Sequence, residues 1–148
     1  MRGSDTLHAS LVARHRPFGW QGVLIFGPSG SGKSDLALRM CARGFRLVAD
    51  DRVCVWPSSG RLYGAAPERL KGLIEVRHVG IIACTGLDLA RIALAVTDCG
   101  ETLPERLPEP GVRTLEGVSV PALDLRLREP ATPERLIAAL DHLRAGPV

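Results

Sequence analysis

The chain has no large excess of charge of either sign. Nineteen Lys and Arg against sixteen Asp and Glu leave a formal charge of +3 over 148 residues. The two signs are interspersed, so no nucleic-acid footprint and no basic membrane face is expected. Long apolar runs are missing as well: nothing approaches the roughly 18 consecutive apolar residues of a membrane span. The opening Met1-Arg2-Gly3-Ser4-Asp5 carries no apolar stretch of the kind a secretory leader needs, and a cytoplasmic protein is the expectation. Paired cysteines are also lacking. Cys41, Cys54, Cys84 and Cys99 stand far apart, with no CxxC and no metal-ligand spacing, which argues for isolated core thiols in a reducing compartment. Repeats and low-complexity segments are absent.

What remains is an ordinary globular composition, 45% hydrophobic and 24% charged, of a length that fits one domain over residues 1–148. Short strands alternate with helices. Leu7 to Ala13 and Val23 to Phe26 read as strands joined through the turn Arg16-Pro17-Phe18-Gly19; the second is a continuous apolar run, as in a buried central strand. From Lys33 to Arg43 the period becomes helical, with Leu36, Ala37, Met40 and Cys41 on one face, Asp35, Arg39 and Arg43 on the other, and Gly44 as the C-terminal stop. Phe45 to Ala49 follows as a strand running into Asp50-Asp51. Further short strands are predicted at Val53 to Trp56, Arg61 to Tyr63, Leu73 to Val76, Ile81 to Cys84 and Arg91 to Val96, with a hairpin turn at Pro57-Ser58-Ser59-Gly60. The proline-rich, charged stretch Thr97 to Gly117 reads as a long loop. A strand over Ala122 to Leu127 and a helix from Pro133 to Leu143, entered through Thr132, complete the pattern.

The densest chemical signal is Gly27-Pro28-Ser29-Gly30-Ser31-Gly32-Lys33-Ser34, which satisfies G-x-x-x-x-G-K-[ST] between a predicted strand and a predicted helix. Glycines at these positions let the backbone fold into a nest whose N–H groups converge on phosphate oxygens, and the helix adds its positive end. Lys33 supplies a mobile charge for the β- and γ-phosphates of ATP, and the Ser34 hydroxyl is suited to magnesium. Chance produces such a match in roughly one chain in a hundred of this length. A plain glycine-rich turn would satisfy the pattern too, but not its strand and helix flanks.

Asp50 and Asp51 lie at the end of the strand after this helix. Acidic residues there face the magnesium in P-loop proteins, and an adjacent pair can divide metal and proton work. The bland reading is a turn before Arg52. Because neighbouring side chains on a strand alternate, only one of the pair faces the phosphate unless the strand has already ended.

At this point the residues resemble a known family, the catalytic domain of HPr kinase/phosphorylase. Arg43-Gly44-Phe45-Arg46-Leu47-Val48-Ala49-Asp50-Asp51 is similar to that family's stretch after the P-loop helix. Leu73-Ile74-Glu75-Val76-Arg77-His78-Val79-Gly80-Ile81-Ile82 is similar to its second signature. The resemblance runs from about Leu7 to the last helix. It implies an α/β P-loop domain of the HPr kinase and phosphoenolpyruvate carboxykinase type with a mixed sheet. It also implies transfer of phosphate from ATP, with Mg2+, to a serine of the phosphocarrier HPr or an HPr-like protein, and reversal with inorganic phosphate. On that pattern Asp51 accepts the serine proton and returns it in reverse, Lys33 acts on the phosphates, and Ser34 and Glu75 hold the metal with Asp50 beside it through water. His8 matches a histidine near the phosphates, and Arg106 an arginine that stabilises transferring charge, with Arg113 as its rival. Read alone, His8 also suits a packed histidine, and Glu75 the polar face of a strand.

The chain departs from the family in places. It resembles a short form without the N-terminal domain of the long members, a form in which the kinase reports on nitrogen or carbon status. Ala9 and His78 stand where glycines are usual. Val120 to Leu127 replaces the proline- and arginine-containing stretch tied to the reverse reaction. A homo-oligomer is implied, as in the full-length members. Two other classes share the loop: a small-molecule kinase or ATPase, which Asp50-Asp51 and Glu75 argue against, and a nucleotide-responsive binding module, which has little need of a proton acceptor.

Overall fold

Residues 9–26 are apolar at nearly every position that a two-sided burial demands, and they form the hairpin at the centre of the molecule. In this computed structural model, which describes residues 6–145, β1 (Ala9–Arg16) and β2 (Gly19–Phe26) pair antiparallel in full register, from Ala9 opposite Phe26 to Arg16 opposite Gly19. The leader reading of Met1 to Asp5 lies outside the described residues. Successive side chains of both strands enter opposite layers. On one face Leu11, Ala13, Leu24 and Phe26 join Val55, Leu62 and Ile92. On the other, Val12, Val23 and Ile25 join Leu36, Met40, Leu94, Leu136 and Leu140. Each fully buried aliphatic side chain of this kind contributes about 1.5–3 kcal/mol, which is why the strands that carry the phosphate loop are the best-anchored ones.

The second layer comes from α1 (Lys33–Cys41) and α2 (Thr132–Ala145). Leu36, Ala37 and Met40 of α1 are buried, as the helical period predicts, and Gly44 ends the segment at a φ of 92°. β3 (Arg46–Ala49) lies antiparallel to β1. β8 (Ala90–Asp98) lies parallel to β2, β10 (Val118–Leu125) parallel to β8, and β9 (Gly111–Leu115) antiparallel to β10. The resulting path is β3-β1-β2-β8-β10-β9, extended where β5 (Arg61–Ala65) pairs with β8 and with β4 (Cys54–Ser58). The eight-stranded sheet is therefore mixed, as expected. A short 3-10 turn, Glu68–Leu70, precedes a separate hairpin of β6 (Leu73–Val76) and β7 (Gly80–Ala83). No helix among the described residues is long and apolar enough to cross a membrane.

Several expected boundaries move. The stretch Thr97 to Gly117 is not one loop: β8 continues to Asp98, and β9 occupies Gly111–Leu115, leaving an irregular segment only between. β9 is an exposed edge strand, with Val112 70% accessible, so it lacks the apolar alternation that marks a buried strand. Its link to β10 is the two-residue turn Glu116-Gly117, with φ of 49° and 77°, the left-handed pair of a type I′ hairpin. The β4–β5 turn is likewise Ser59-Gly60 alone, at φ 51° and 76°. Pro57 belongs to β4, opposite Leu62, tolerated because that strand is an edge. The final strand runs over Val118–Leu125 rather than Ala122 to Leu127.

Candidate active site

β2 ends at Phe26 and the chain turns at once into the phosphate loop. Gly27 sits so close to the loop's own return that a Cβ there would stand 2.3 Å from Ser31 Oγ. Gly30 and Gly32 adopt φ of 83° and 103°, conformations that only glycine holds without strain. Gly32 caps α1 without any side-chain hydrogen bond, so the first-turn N–H groups are left for an outside acceptor. Lys33 is 5% exposed, and its Nζ donates to Gly27 O at 2.8 Å and Pro28 O at 3.2 Å.

Because β3 runs antiparallel to β1, and β1 to β2, the exit of β3 lies beside the exit of β2. The strand stops at Ala49, which releases Asp50 and Asp51 from strict alternation. Asp50 is 8% exposed. Its Oδ1 accepts from Ser34 Oγ at 2.7 Å and Ser10 Oγ at 3.0 Å, and its Oδ2 accepts from the Glu75 amide at 3.2 Å. One buried carboxylate thus ties together the P-loop helix, β1, β3 and β6. Asp51 then takes a left-handed φ of 67°, with its N–H donating to Ser10 Oγ at 3.0 Å. That turn aims its carboxylate elsewhere: Oδ1 accepts from His8 Nε2 at 2.6 Å, with the two side chains 54% and 40% exposed.

A cavity of about 550 Å³ opens over the loop, bordered by Gly30, Lys33, Ser34, Asp51, Glu75 and Arg128 among others. Lys33, Ser34, Asp51 and Glu75 therefore share one space. Asp50 reaches it through the Ser34 hydroxyl, and His8 through Asp51. Ser34, Glu75 and Asp50 supply the hard oxygen atoms that magnesium prefers, and the direct link between Ser34 and Asp50 brings two of them into contact. Arg106 stands exposed in the segment between β8 and β9 and does not border this cavity. Arg113 is used in the sheet, with its guanidinium 3.6 Å from the Phe26 ring centre and donating to Thr97 Oγ1 at 3.2 Å.

Two residues at the site carry no mark in the sequence. Ser10 is an ordinary serine on β1 until β3 pairs alongside. Arg128, on the turn between β10 and α2, donates from its guanidinium to Gly30 O, and its Cγ would stand 3.1 Å from a Cβ on Gly32. The same turn is held to α1 by Arg39, which donates to Leu127 O and, at 3.2 Å, to Glu129 O. Beyond the cavity, burial and then the Asp50 carboxylate push the Cys84 thiol up, while burial and then Cys84 push Cys41 to about 11.

A glycine loop between β2 and α1, a buried lysine and a clustered set of carboxylates define a P-loop protein of mixed α/β type. The family described as HPr Serine kinase C-terminal domain matches residues 4–87. The chain belongs to that family. It is 38% identical over 119 residues to the HPr kinase/phosphorylase of Limosilactobacillus reuteri (strain DSM 20016), a match covering 72% of this chain and 37% of the relative. It is 55% identical over 62 residues to the HPr kinase/phosphorylase of Brevibacillus brevis, covering 41% of this chain and 20% of that protein. The chain thus spans well under half the length of these relatives. A solved structure, described as the Hpr(Ser) kinase/phosphatase from Coxiella burnetii, shares the fold with a TM-score of 0.75 at 24% identity, over 96% of this chain and 97% of that one.

Proposed function

We propose that this chain is a magnesium-dependent kinase that transfers the γ-phosphoryl group of ATP to a serine of HPr or an HPr-like phosphocarrier. The observation that carries the reading is the sharing of one cavity by Lys33, Ser34, Asp51 and Glu75, with Asp50 bonded behind them. Family membership supports it, since the relatives are named for this reaction in both directions.

The loop amides and Lys33 grip the polyphosphate, at the expense of the lysine's present bonds to the Gly27 and Pro28 carbonyls. Ser34 and Glu75, with Asp50 beside them, would hold Mg2+, which when bound neutralises charge on the β- and γ-phosphates. Asp51 takes the proton of the acceptor serine as its oxygen bonds to phosphorus; the bond to the bridging oxygen breaks and ADP leaves. His8, bonded to Asp51 Oδ1, orients that carboxylate toward the incoming hydroxyl. Arg128, already on the loop, is placed to offset charge on the transferring group, and Arg106 is its competitor by resemblance. Phosphorolysis would transfer the phosphoryl group from phosphoserine to inorganic phosphate, giving pyrophosphate, while Asp51 returns the proton to the departing serine oxygen. The half-exposed Asp51 favours a hydroxyl presented on a protein surface over a small molecule held in a closed pocket.

The test is transfer of label from radioactive ATP to purified HPr, with phosphoserine located by mass spectrometry and the reverse reaction started by adding phosphate. ATP hydrolysis with no labelled protein would reject the protein-kinase reading and leave the ATPase alternative standing.

A further inference from the structure

A second cavity, of about 780 Å³, opens on the other flank of the phosphate loop, bordered by Pro28, Ser31, Asp98, Glu101, Leu103 and Arg126 among others. Resting on the kinase reading above, we propose that it is the nucleoside subsite. It takes the ribose and base of the nucleotide whose phosphates lie on the loop, with Ser31 and Arg126 as polar contacts.

Sheet order sets the direction. β2, β8 and β10 run parallel and end on the same side, with β1 and β3 on one flank of the loop and β8 and β10 on the other. Asp51 follows β3 and borders the first cavity, so the terminal phosphate and the acceptor hydroxyl meet on that flank. Ser29, Gly30 and Arg128 border both cavities, and the loop is the ridge between them. A polyphosphate laid along this ridge with its reacting end at Asp51 has its other end over the second cavity. The acceptor serine does not belong there, because of the two cavities Asp51 borders only the first.

The chemistry of the walls selects an uncharged polar occupant. Asp98, Glu101 and Glu129 set three carboxylates against the two guanidiniums of Arg126 and Arg128. That balance repels a further polyanion and suits a group rich in hydroxyls and ring nitrogens. Two atoms lack partners: Ser31 Oγ and Arg126 Nε are covered, yet neither makes a hydrogen bond among the described residues. Such atoms are rare, because they have lost water without gaining a partner. Both belong to residues that border this cavity, and a small rotation of either side chain brings the atom to a ligand. Arg126 is otherwise anchored, its Nη2 donating to the Glu101 carbonyl at 2.7 Å and its own carbonyl accepting from Thr132 Oγ1 at 2.5 Å. An arginine held in this way loses little freedom on binding. Pro28 and Leu103, the latter 75% exposed, offer apolar surface to the faces of a base. The volume suits a ligand of nucleoside size.

Calorimetric titration with ADP and with pyrophosphate, each with Mg2+, separates the nucleoside from the phosphates. ADP should bind at least about tenfold more tightly. Ser31→Ala removes an unbonded atom and keeps the loop backbone, and Arg126→Lys keeps the charge and loses Nε. Each should lower the preference for ADP over pyrophosphate by about three- to tenfold. Position is read independently: 8-azido-ADP, photolysed in the complex, should label residues 98–103 or 126–129, located by mass spectrometry. Equal affinity for the two ligands, a preference that neither variant lowers, or a label confined to residues 73–83 overturns the nucleoside subsite and leaves the phosphate loop in place. Failure to bind either ligand, or binding that Lys33→Ala does not weaken, overturns the kinase reading as well.

Discussion

Ser10→Ala is the most informative single change, because this fully buried hydroxyl joins the two aspartates. It donates to Asp50 Oδ1 and accepts the Asp51 N–H, both at 3.0 Å, in a site with 0% exposure. Its removal leaves an amide unpaired and takes one donor from a buried carboxylate. An orphaned buried amide costs about 1 kcal/mol or more and a bond to a charged group contributes about 1.5 kcal/mol, so a loss of about 2 kcal/mol is expected after partial relaxation. For a domain of this size that lowers Tm by about 4–8 °C. The kinetic effect should be separate. Asp51 holds a left-handed φ of 67°, a conformation that costs on the order of 1 kcal/mol and persists because contacts enforce it. Freed from Ser10, its carboxylate wanders, and turnover should fall about tenfold with nucleotide affinity within about twofold of the parent. Thermal melts and steady-state kinetics on ATP and HPr measure both. A parent-like Tm would refute the bonding scheme; a lowered Tm with unchanged turnover would show that Ser10 stabilises the fold without positioning Asp51.

Asp51→Asn should retain nucleotide affinity and lose about 10²- to 10⁴-fold in turnover, because an amide cannot take the serine proton; transfer at the parent rate would remove Asp51 from that role. Arg128→Ala and Arg106→Ala, compared in the same assay, separate the two arginines: a loss of about tenfold or more in turnover is expected for Arg128, and a larger loss for Arg106 would mean that the segment between β8 and β9 closes over the cavity during transfer. Cys41, pushed up to about 11 from an ordinary 9.0, should react with a disulfide reagent at pH 8 about 100-fold more slowly than an ordinary exposed thiol. The unfolded chain ionises this thiol first, so stability should decline as pH rises through 9 toward 11; a flat stability profile across that interval would contradict the burial argument.

The features readable from sequence were those whose cause is local or whose burial is two-sided. The phosphate loop needs glycine at fixed offsets because of its own backbone, and β2 and α1 show their periods because both are anchored in the core. β9 was hidden because an exposed edge strand imposes no apolar alternation, and its turn, Glu116-Gly117, lay within a stretch dominated by proline and charge. The division of labour within Asp50-Asp51 was hidden for a different reason. It depends on where β3 stops and on a left-handed turn at a residue that is not glycine.

The bonds at Ser10 and Arg128 have a common property that explains why sequence spacing does not reveal them. Each joins elements remote in the chain: Ser10 to the exit of β3, and Arg128 from the turn before α2 to the loop after β2. Serine and arginine are common, and at neither position does a neighbour constrain the choice. What makes them part of the site is the sheet order, which sets β3 beside β1 and β10 one strand beyond β8. The phosphate loop binds through backbone atoms, so its requirement is written in residue types; the groups that steer the carboxylates and cover the loop act through side chains delivered by distant strands. Substitutions at Ser10 and Arg128 therefore test the topology itself, because their effects on turnover should vanish if β1, β3 and β10 did not meet the loop at one end of the sheet.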